Sequence, residues 1–288
     1  MDNVAFRVQT SCMHFRLILP ILLLSSVALA SQQPTNTSTT TGQSGTTNVT
    51  LPADPAKLLE VIRDSYYHPD DLSSLDCAVS VDWVAFFGSS KVSLSDDRMK
   101  VLQGLKVHSH ALRGKPTELT FDWSAGLLTT KDQMESGLKQ MVGGFYQMYW
   151  SMIAKGLVTN GNDLKKIEPL PDGSANVDMS GDGMNLVITV SKDGSPTHWV
   201  LDSPAMKGTI DPQFTASPNP VPGDLRRISS MKVVEHIGES NINVDLSLDY
   251  QEINGLFVPK SVSFGVVGAY TIPMEFSGCS GTTAASAH

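Results

Sequence analysis

The chain has 288 residues, a formal net charge of −8 at neutral pH and 41% hydrophobic residues, which is enough apolar material for a folded core. This acidic balance, with no basic stripe, excludes the electrostatic footprint of a nucleic-acid-binding protein. The same charge gives the chain no attraction to an anionic membrane surface.

The first thirty residues have the pattern of a cleavable export signal. Arg16 precedes an apolar run over 17–27, and the small residues Ala28 and Ala30 fit the requirement of a signal peptidase. We therefore predict a signal peptide over 1–30 and a periplasmic or secreted product. No cysteine follows the cleavage point, so a lipid anchor is not expected, and no later stretch has the roughly 18 to 20 apolar residues of a spanning helix.

Composition divides the rest of the chain into three parts, whether translation starts at Met1 or at Met13. Residues 31–52 are almost entirely small and polar, a composition that cannot bury enough apolar surface to order the chain. We predict a disordered tether there, a single β-rich domain over 53–281, and a frayed tail over 282–288.

The cysteines predict a disulfide. Cys12 leaves with the signal peptide, so that the mature chain keeps Cys77 and Cys279, an even pair in a compartment where disulfides persist. We expect them to be bonded, joining the first strand to the last. Two free thiols are the alternative, and a metal site made by two thiols alone is less favoured.

Two segments have helical periodicity. The spacing of apolar residues predicts a short helix over 54–67, with Asp54 as its cap and Pro55 in its first turn. A long helix is predicted over 130–158, and Gly143-Gly144 is expected to weaken or kink it near the middle. Its apolar stripe contains Met134, Leu138, Met141, Phe145, Met148 or Tyr149, and Met152.

The remaining segments alternate as strands do, and Gly-containing turn signals separate them at regular spacing. This pattern predicts an antiparallel meander, interrupted by a Pro-rich loop over 217–223. The predicted strands are 77–87, 99–112, 117–124, 174–179, 184–191, 196–202, 205–210, 227–236, 242–252, 256–265 and 269–277.

Three short patterns imitate catalytic or metal sites. Ser136 and Lys139 fit the S-x-x-K pattern of penicillin-recognising enzymes, but the S-D-N and K-T-G motifs that accompany it are missing. His108 and His110 lie two apart on a predicted strand, so both imidazoles face one side and could share a metal, although no third ligand follows nearby. The segment 178–183 imitates a calcium loop without the carboxylate needed at its twelfth position, and we interpret it as a hairpin turn.

The methionine and aromatic stripe of the long helix has two interpretations. The simpler is a core helix that covers one face of a sheet. The functional one is an apolar cavity in which flexible methionines adapt to acyl chains. Under that hypothesis the ligand-binding residues are Met141, Phe145, Met148, Tyr149 and Met152.

One hairpin carries a family resemblance. Residues 248–261 read L-D-Y-Q-E-I-N-G-L-F-V-P-K-S, which resembles the closing hairpin of the periplasmic lipoprotein-carrier superfamily that includes LolA, LolB and RseB. In that family a tyrosine-bearing strand turns at Asn-Gly or Asp-Gly into a Val-Pro-Lys strand. The resemblance implies an incomplete β-barrel whose mouth is plugged by helices and which holds lipid or acyl chains without chemistry.

The sequence therefore predicts an α+β fold: a strongly twisted antiparallel β-sheet forming an incomplete (half) barrel, with one long apolar helix and a short N-terminal helix packed on its concave face. The function expected is that of an exported envelope protein, not an enzyme, that binds a hydrophobic ligand or an acylated protein as carrier or sensor, without a cofactor. A scaffold that binds protein partners along a sheet edge is one alternative, and a hydrolase using Ser136 or the two histidines is another. The oligomeric state is left open.

Overall fold

The computed structural model describes residues 51–90, 92–123, 131–156, 158, 163–181, 183–203, 207–215, 226–237 and 240–283. The predicted signal peptide, nearly all of the predicted tether and the Pro-rich loop lie outside these residues. Four α-helices are present in the described ranges: α1 (Pro55–Arg63), α2 (Trp83–Ser90), α3 (Asp96–Gln103) and α4 (Lys131–Met148), the last followed by a π-helical segment (Tyr149–Ala154).

Twelve described strands form one antiparallel sheet. Its order is β3-β2-β1-β12-β11-β10-β9-β8-β7-β6-β5-β4, so the sheet is open and does not close into a barrel. The strands are β1 (Leu72–Val81), β2 (Leu105–Leu112), β3 (Glu118–Trp123), β4 (Asp163–Pro169), β5 (Ala175–Gly181), β6 (Met184–Val190), β7 (Pro196–Asp202), β8 (Lys207–Phe214), β9 (Ile228–Ile237), β10 (Ser240–Ile253), β11 (Leu256–Val266) and β12 (Tyr270–Thr283).

The first and last strands of the chain pair with each other inside the sheet and not at its edges. β1 pairs with β12, and the predicted disulfide between Cys77 and Cys279 is formed across this pair, with a Cα–Cα distance of 4.2 Å. β1 therefore lies next to β12, the last strand of the meander that begins with β4. This confirms that the bond joins the first strand to the last.

One face of the sheet is apolar and bears the helices. Alternate residues of β1, β2 and β12 are buried on this face, as the period of two requires. The buried side chains form one core, which includes Leu75, Val107, Phe276, and Leu58 and Ile62 of α1. We call this surface the helix-bearing face.

Two predicted strands are helical over part of their length. The predicted strand 77–87 ends at Val81 and gives way to α2, because the Asp82 side chain accepts a hydrogen bond from the Ala85 backbone N–H and starts a turn. The predicted strand 99–112 begins only at Leu105 and is preceded by α3, whose first turn carries Asp96 and Asp97, a favourable charge at a helix N-terminus. Alternating and helical spacing are hard to distinguish over such short apolar runs.

Other boundaries differ less. The α-helix is continuous through Gly143 and Gly144, where a weak point or kink was expected, and its hydrogen-bond period changes only at Tyr149. The strand list omitted β4, whose alternating residues are mostly polar because it forms the edge of the sheet. β12 continues to Thr283, two residues past the predicted end of the domain.

Candidate functional site

The site begins with the contact between α4 and the helix-bearing face. The ring of Phe145 lies 5.3 Å from that of Phe276 on β12, and the ring of Tyr146 lies 5.8 Å from it, measured between centroids. The Tyr146 hydroxyl is hydrogen-bonded to the Ser109 hydroxyl of β2 at 2.9 Å. These contacts fix the second half of α4 across β12 and β2.

The five residues predicted to bind ligand occupy this region with different exposure. Phe145, Tyr149 and Met152 are buried, whereas Met141 and Met148 are half-buried and pack against the edge of the core. The ring of Tyr149 is stacked on that of Phe145 at 6.1 Å. Met141 and Met148 are therefore the two of these five residues that border both the core and solvent.

The helix changes its hydrogen-bond period where the stripe is most apolar. The backbone N–H of Lys155 donates to the carbonyl of Trp150, five residues earlier, at 3.2 Å. The Ser151 hydroxyl donates to the carbonyls of Gln147 and Met148 at 2.9 and 3.2 Å, competing for the acceptors of the preceding turn. Short π-helical segments of this kind are frequent at functional sites.

Two adjacent side chains of this segment bury polar atoms that have no hydrogen-bond partner among the described residues. They are the Tyr149 hydroxyl, on a fully buried side chain, and the Trp150 Nε1. Burial raises the pKa of Tyr149 well above its usual value, so that its hydroxyl keeps its proton at neutral pH. Tyr146, one turn earlier, has its pKa raised by burial too, but its hydroxyl is paired with Ser109.

A loop and an arginine complete this end of α4. The guanidinium of Arg113, just after β2, lies over the Trp150 ring at 5.6 Å from Cζ to the ring centroid. Its Nη1 donates to the carbonyl of Asp70 at 2.5 Å and its Nη2 to that of Pro69 at 2.9 Å. The guanidinium therefore ties the loop after α1 to the π-helical segment.

The same loop is anchored to the far side of the sheet. The backbone N–H of Tyr67 donates to the carbonyl of Arg226, just before β9, at 2.8 Å. The Tyr67 hydroxyl accepts a hydrogen bond from the Phe257 N–H of β11 at 2.8 Å. On β10 the Tyr250 hydroxyl donates to the carbonyl of Ile228 at 2.8 Å. Aromatic residues thus line the core from the π-helical segment to β10.

The residues proposed for a hydrolase do not come together as a catalytic group. Ser136 is exposed on α4, and the Lys139 Nζ lies 5.5 Å from the centroid of the Phe121 ring. His108 is exposed on β2, and the Nδ1 of His110 lies 2.5 Å from the Asp76 carboxylate of β1. Within the described ranges, no three or more His, Cys, Asp and Glu side chains are grouped as metal ligands.

The imitation calcium loop is the predicted hairpin turn. Asp178 lies within β5, and the chain returns as β6 from Met184. Gly183, between the two strands, has a φ of +77°, which glycine adopts at low cost.

A cleft of about 580 Å³ lies at a different place, along β9 to β12 near the end of α2. Its lining includes Ser230, Ser247 and Ser263, which form one cross-strand row. None of the five residues of the predicted ligand stripe lines it.

Sequence reasoning missed Arg113 and His68. Neither belongs to a motif: Arg113 reaches the π-helical segment only through its tertiary contact with Trp150, and the His68 ring lies beside Gly156, just after that segment. The one available signal was the aromatic run Tyr66-Tyr67-His68 at the end of the predicted helix, since a cluster of aromatic residues needs a surface to pack on.

The sequence matches no protein-family model and no curated protein. Among solved structures, the chain is similar to a domain from Vibrio parahaemolyticus that is described as an outer membrane lipoprotein-sorting protein. The alignment covers 81% of this chain and 95% of that domain, with 9% sequence identity and a TM-score of 0.26. No helix in the described part of the chain has the length and apolar character needed to cross a membrane.

Proposed function

We propose that this protein is an exported, non-catalytic envelope protein that holds a hydrophobic ligand, a lipid or the acyl chains of a lipoprotein, as a carrier or sensor. The ligand would lie between α4 and the helix-bearing face of a half-barrel. The observation that carries the proposal lies at the end of α4. There an apolar π-helical segment buries the Tyr149 hydroxyl, which has no hydrogen-bond partner among the described residues, next to the half-buried Met148 and two turns after the half-buried Met141.

The polar groups of the π-helical segment that have no partner among the described residues cost free energy. A buried polar group without a partner costs about 1–3 kcal/mol. Trp199 Nε1 on β7 is another such atom among the described residues. At the end of α4 two such groups adjoin side chains that border solvent, so a ligand can enter there and offset the cost. Methionine, being unbranched and polarizable, fits acyl chains of different shape.

The expected location follows from the chain itself. An export signal over 1–30 and the disulfide between Cys77 and Cys279 both suit an oxidising compartment outside the cytoplasm. We place the protein in the periplasm or outside the cell.

The edge strands of the sheet argue against the alternative of a scaffold that binds protein partners. β4 exposes Lys165, Lys166 and Glu168, and β3 exposes Glu118 and Asp122. Charged side chains on edge strands oppose the addition of a partner strand.

The test is uptake of a fluorescent fatty acid by wild type, Met148→Asp and Gln140→Asp. Met148 is half-buried on the proposed ligand surface, whereas Gln140 is exposed on the same helix and serves as the matched control. A carboxylate placed against an acyl chain should weaken binding at least about tenfold in Met148→Asp, with Gln140→Asp close to wild type. Equal binding by both variants, each with a wild-type circular dichroism spectrum, would remove α4 from the ligand site.

A further inference from the structure

Four of the buried polar atoms that lack a hydrogen-bond partner among the described residues gather at one place. They are Tyr149 OH, Trp150 Nε1, Arg113 Nε and His68 Nδ1. The rings of Tyr149 and Trp150 are 5.2 Å apart, and Arg113 lies over Trp150. Arg113 also donates to the carbonyls of the two residues that follow His68, and the His68 ring lies beside Gly156, just after the π-helical segment. We call these four groups the donor cluster.

The chemistry of the donor cluster is one-sided. The tyrosine hydroxyl, the indole N–H and the guanidinium Nε–H are hydrogen-bond donors, and the imidazole Nδ1 can be one. The Tyr149 hydroxyl can also accept, but no donor from the described residues reaches it. The cluster therefore calls for a group made of acceptors.

The donor cluster also carries a positive charge, that of the Arg113 guanidinium. Both Nη atoms of Arg113 donate to backbone carbonyls, which are neutral, and no carboxylate in the described ranges lies within 4.0 Å of the guanidinium. The Asp70 carboxylate is directed to the Nε2 of His68, at 3.6 Å. A half-buried guanidinium without an anion beside several free donors is the environment that binds a carboxylate or a phosphate.

We propose that the donor cluster binds the anionic oxygen head of an acyl lipid, whose chain runs from there along Met148 and Met152. This inference rests on the proposed function and makes it more specific, since it assigns the polar end of the ligand and its charge. It also explains why an arginine lies against the apolar π-helical segment that follows α4. A neutral acyl ester would fill the apolar part and offer its carbonyl oxygen to one donor, but it would bring no negative charge to Arg113.

The experiment measures affinity by isothermal titration for palmitic acid, methyl palmitate, hexadecyl phosphate and inorganic phosphate. Wild type is compared with Tyr149→Phe, which removes one donor and keeps the ring, and with Tyr146→Phe as the matched control. Tyr146 is equally buried one turn earlier, but its hydroxyl is already satisfied by Ser109. Arg113→Gln tests the charge.

We expect wild type to bind palmitate and hexadecyl phosphate about tenfold or more tightly than methyl palmitate. Tyr149→Phe should lose about tenfold for the two anionic lipids, stay within about twofold for methyl palmitate, and melt at a higher temperature when free of ligand. Tyr146→Phe should keep its affinity and melt at a lower temperature. Arg113→Gln should bind the acid and the ester alike.

The contrary outcomes are distinct. If wild type binds palmitate and methyl palmitate equally and Tyr149→Phe changes only the melting temperature, the donor cluster is structural and the inference is wrong. If inorganic phosphate binds as tightly as hexadecyl phosphate, the cluster is a site for a free anion and not for a lipid head. If no acyl compound binds, the ester included, the proposed function itself fails.

Discussion

The substitution Gly194→Ala tests how α1 is docked on the sheet. Gly194 lies in the turn between β6 and β7, with a φ of +84°, and a Cβ atom there would collide with the Cγ1 of Val61 on α1. The turn is held by Asp193, which accepts hydrogen bonds from the Ser191 hydroxyl and the Ser195 N–H. Burial raises the pKa of Asp193, but these two hydrogen bonds and the nearby Arg226 guanidinium outweigh that effect and lower the pKa to about 2. The turn therefore cannot move aside cheaply.

The magnitude has two parts. A left-handed backbone costs an L-residue roughly 1–2 kcal/mol, and overpacking a well-fitted contact costs roughly a further 1–3 kcal/mol. Gly173→Ala is the matched control, because Gly173 has a φ of +86° and its added Cβ would have Lys192 Cβ as its nearest contact, at 3.9 Å. We expect the free energy of unfolding to fall by about 2–5 kcal/mol for Gly194→Ala and by only about 1–2 kcal/mol for Gly173→Ala.

Urea unfolding, followed by circular dichroism, measures both variants. Adding Val61→Ala to Gly194→Ala should recover part of the loss, because it removes the methyl group with which the new Cβ collides. Equal losses in the two glycine variants, or no recovery in the double variant, would show that α1 does not pack on this turn as described.

Three further predictions concern stability. Reducing the bond between Cys77 and Cys279 opens a loop of 202 residues, and the unfolding free energy should fall by up to about 5 kcal/mol in urea titrations with and without reductant; no change would mean that the thiols are free. Gly208→Ala should destabilise by about 3 kcal/mol or more in the same assay, because a Cβ would strike the Val234 carbonyl oxygen of β9, and a loss below about 1 kcal/mol would contradict this β8–β9 contact. Burial raises the pKa of Glu235 above its ordinary 4.5, so the stability that protonated Glu235 contributes is present below that pH and is lost as pH rises through the folded pKa. Glu235→Gln should therefore be more stable than wild type at pH 7 but not at pH 4. Parallel pH profiles of the two proteins would refute this.

Local pattern predicted much of this fold. The turn signals and alternation placed most strands from β5 to β12, and helical spacing placed α1 and α4, because each of these elements is set by near neighbours in sequence. The disulfide was predictable from cysteine count and compartment alone. The asparagine of the Asn254-Gly255 turn adopts a φ of +53°, as a tight hairpin turn demands.

The rest depends on tertiary contacts. α2 and α3 were assigned to strands because Val84 to Phe87 and Met99 to Leu102 are too short to reveal a helical period. The candidate site was half predictable: the stripe Met141 to Met152 follows from helical spacing, whereas the placing of Arg113 over Trp150 joins residues 37 positions apart. That the buried Tyr149 hydroxyl has no partner among the described residues is a property of packing, which no sequence pattern reports.

The proposed function is tested most directly by native mass spectrometry of the mature protein purified from an envelope fraction, before and after organic extraction. We expect a bound acyl species that extraction removes, that re-forms on addition of palmitate, and that is absent from Met148→Asp but present in Gln140→Asp. A ligand-free mass in wild type, with no uptake of added fatty acid, would contradict the proposal and leave α4 as an ordinary core helix.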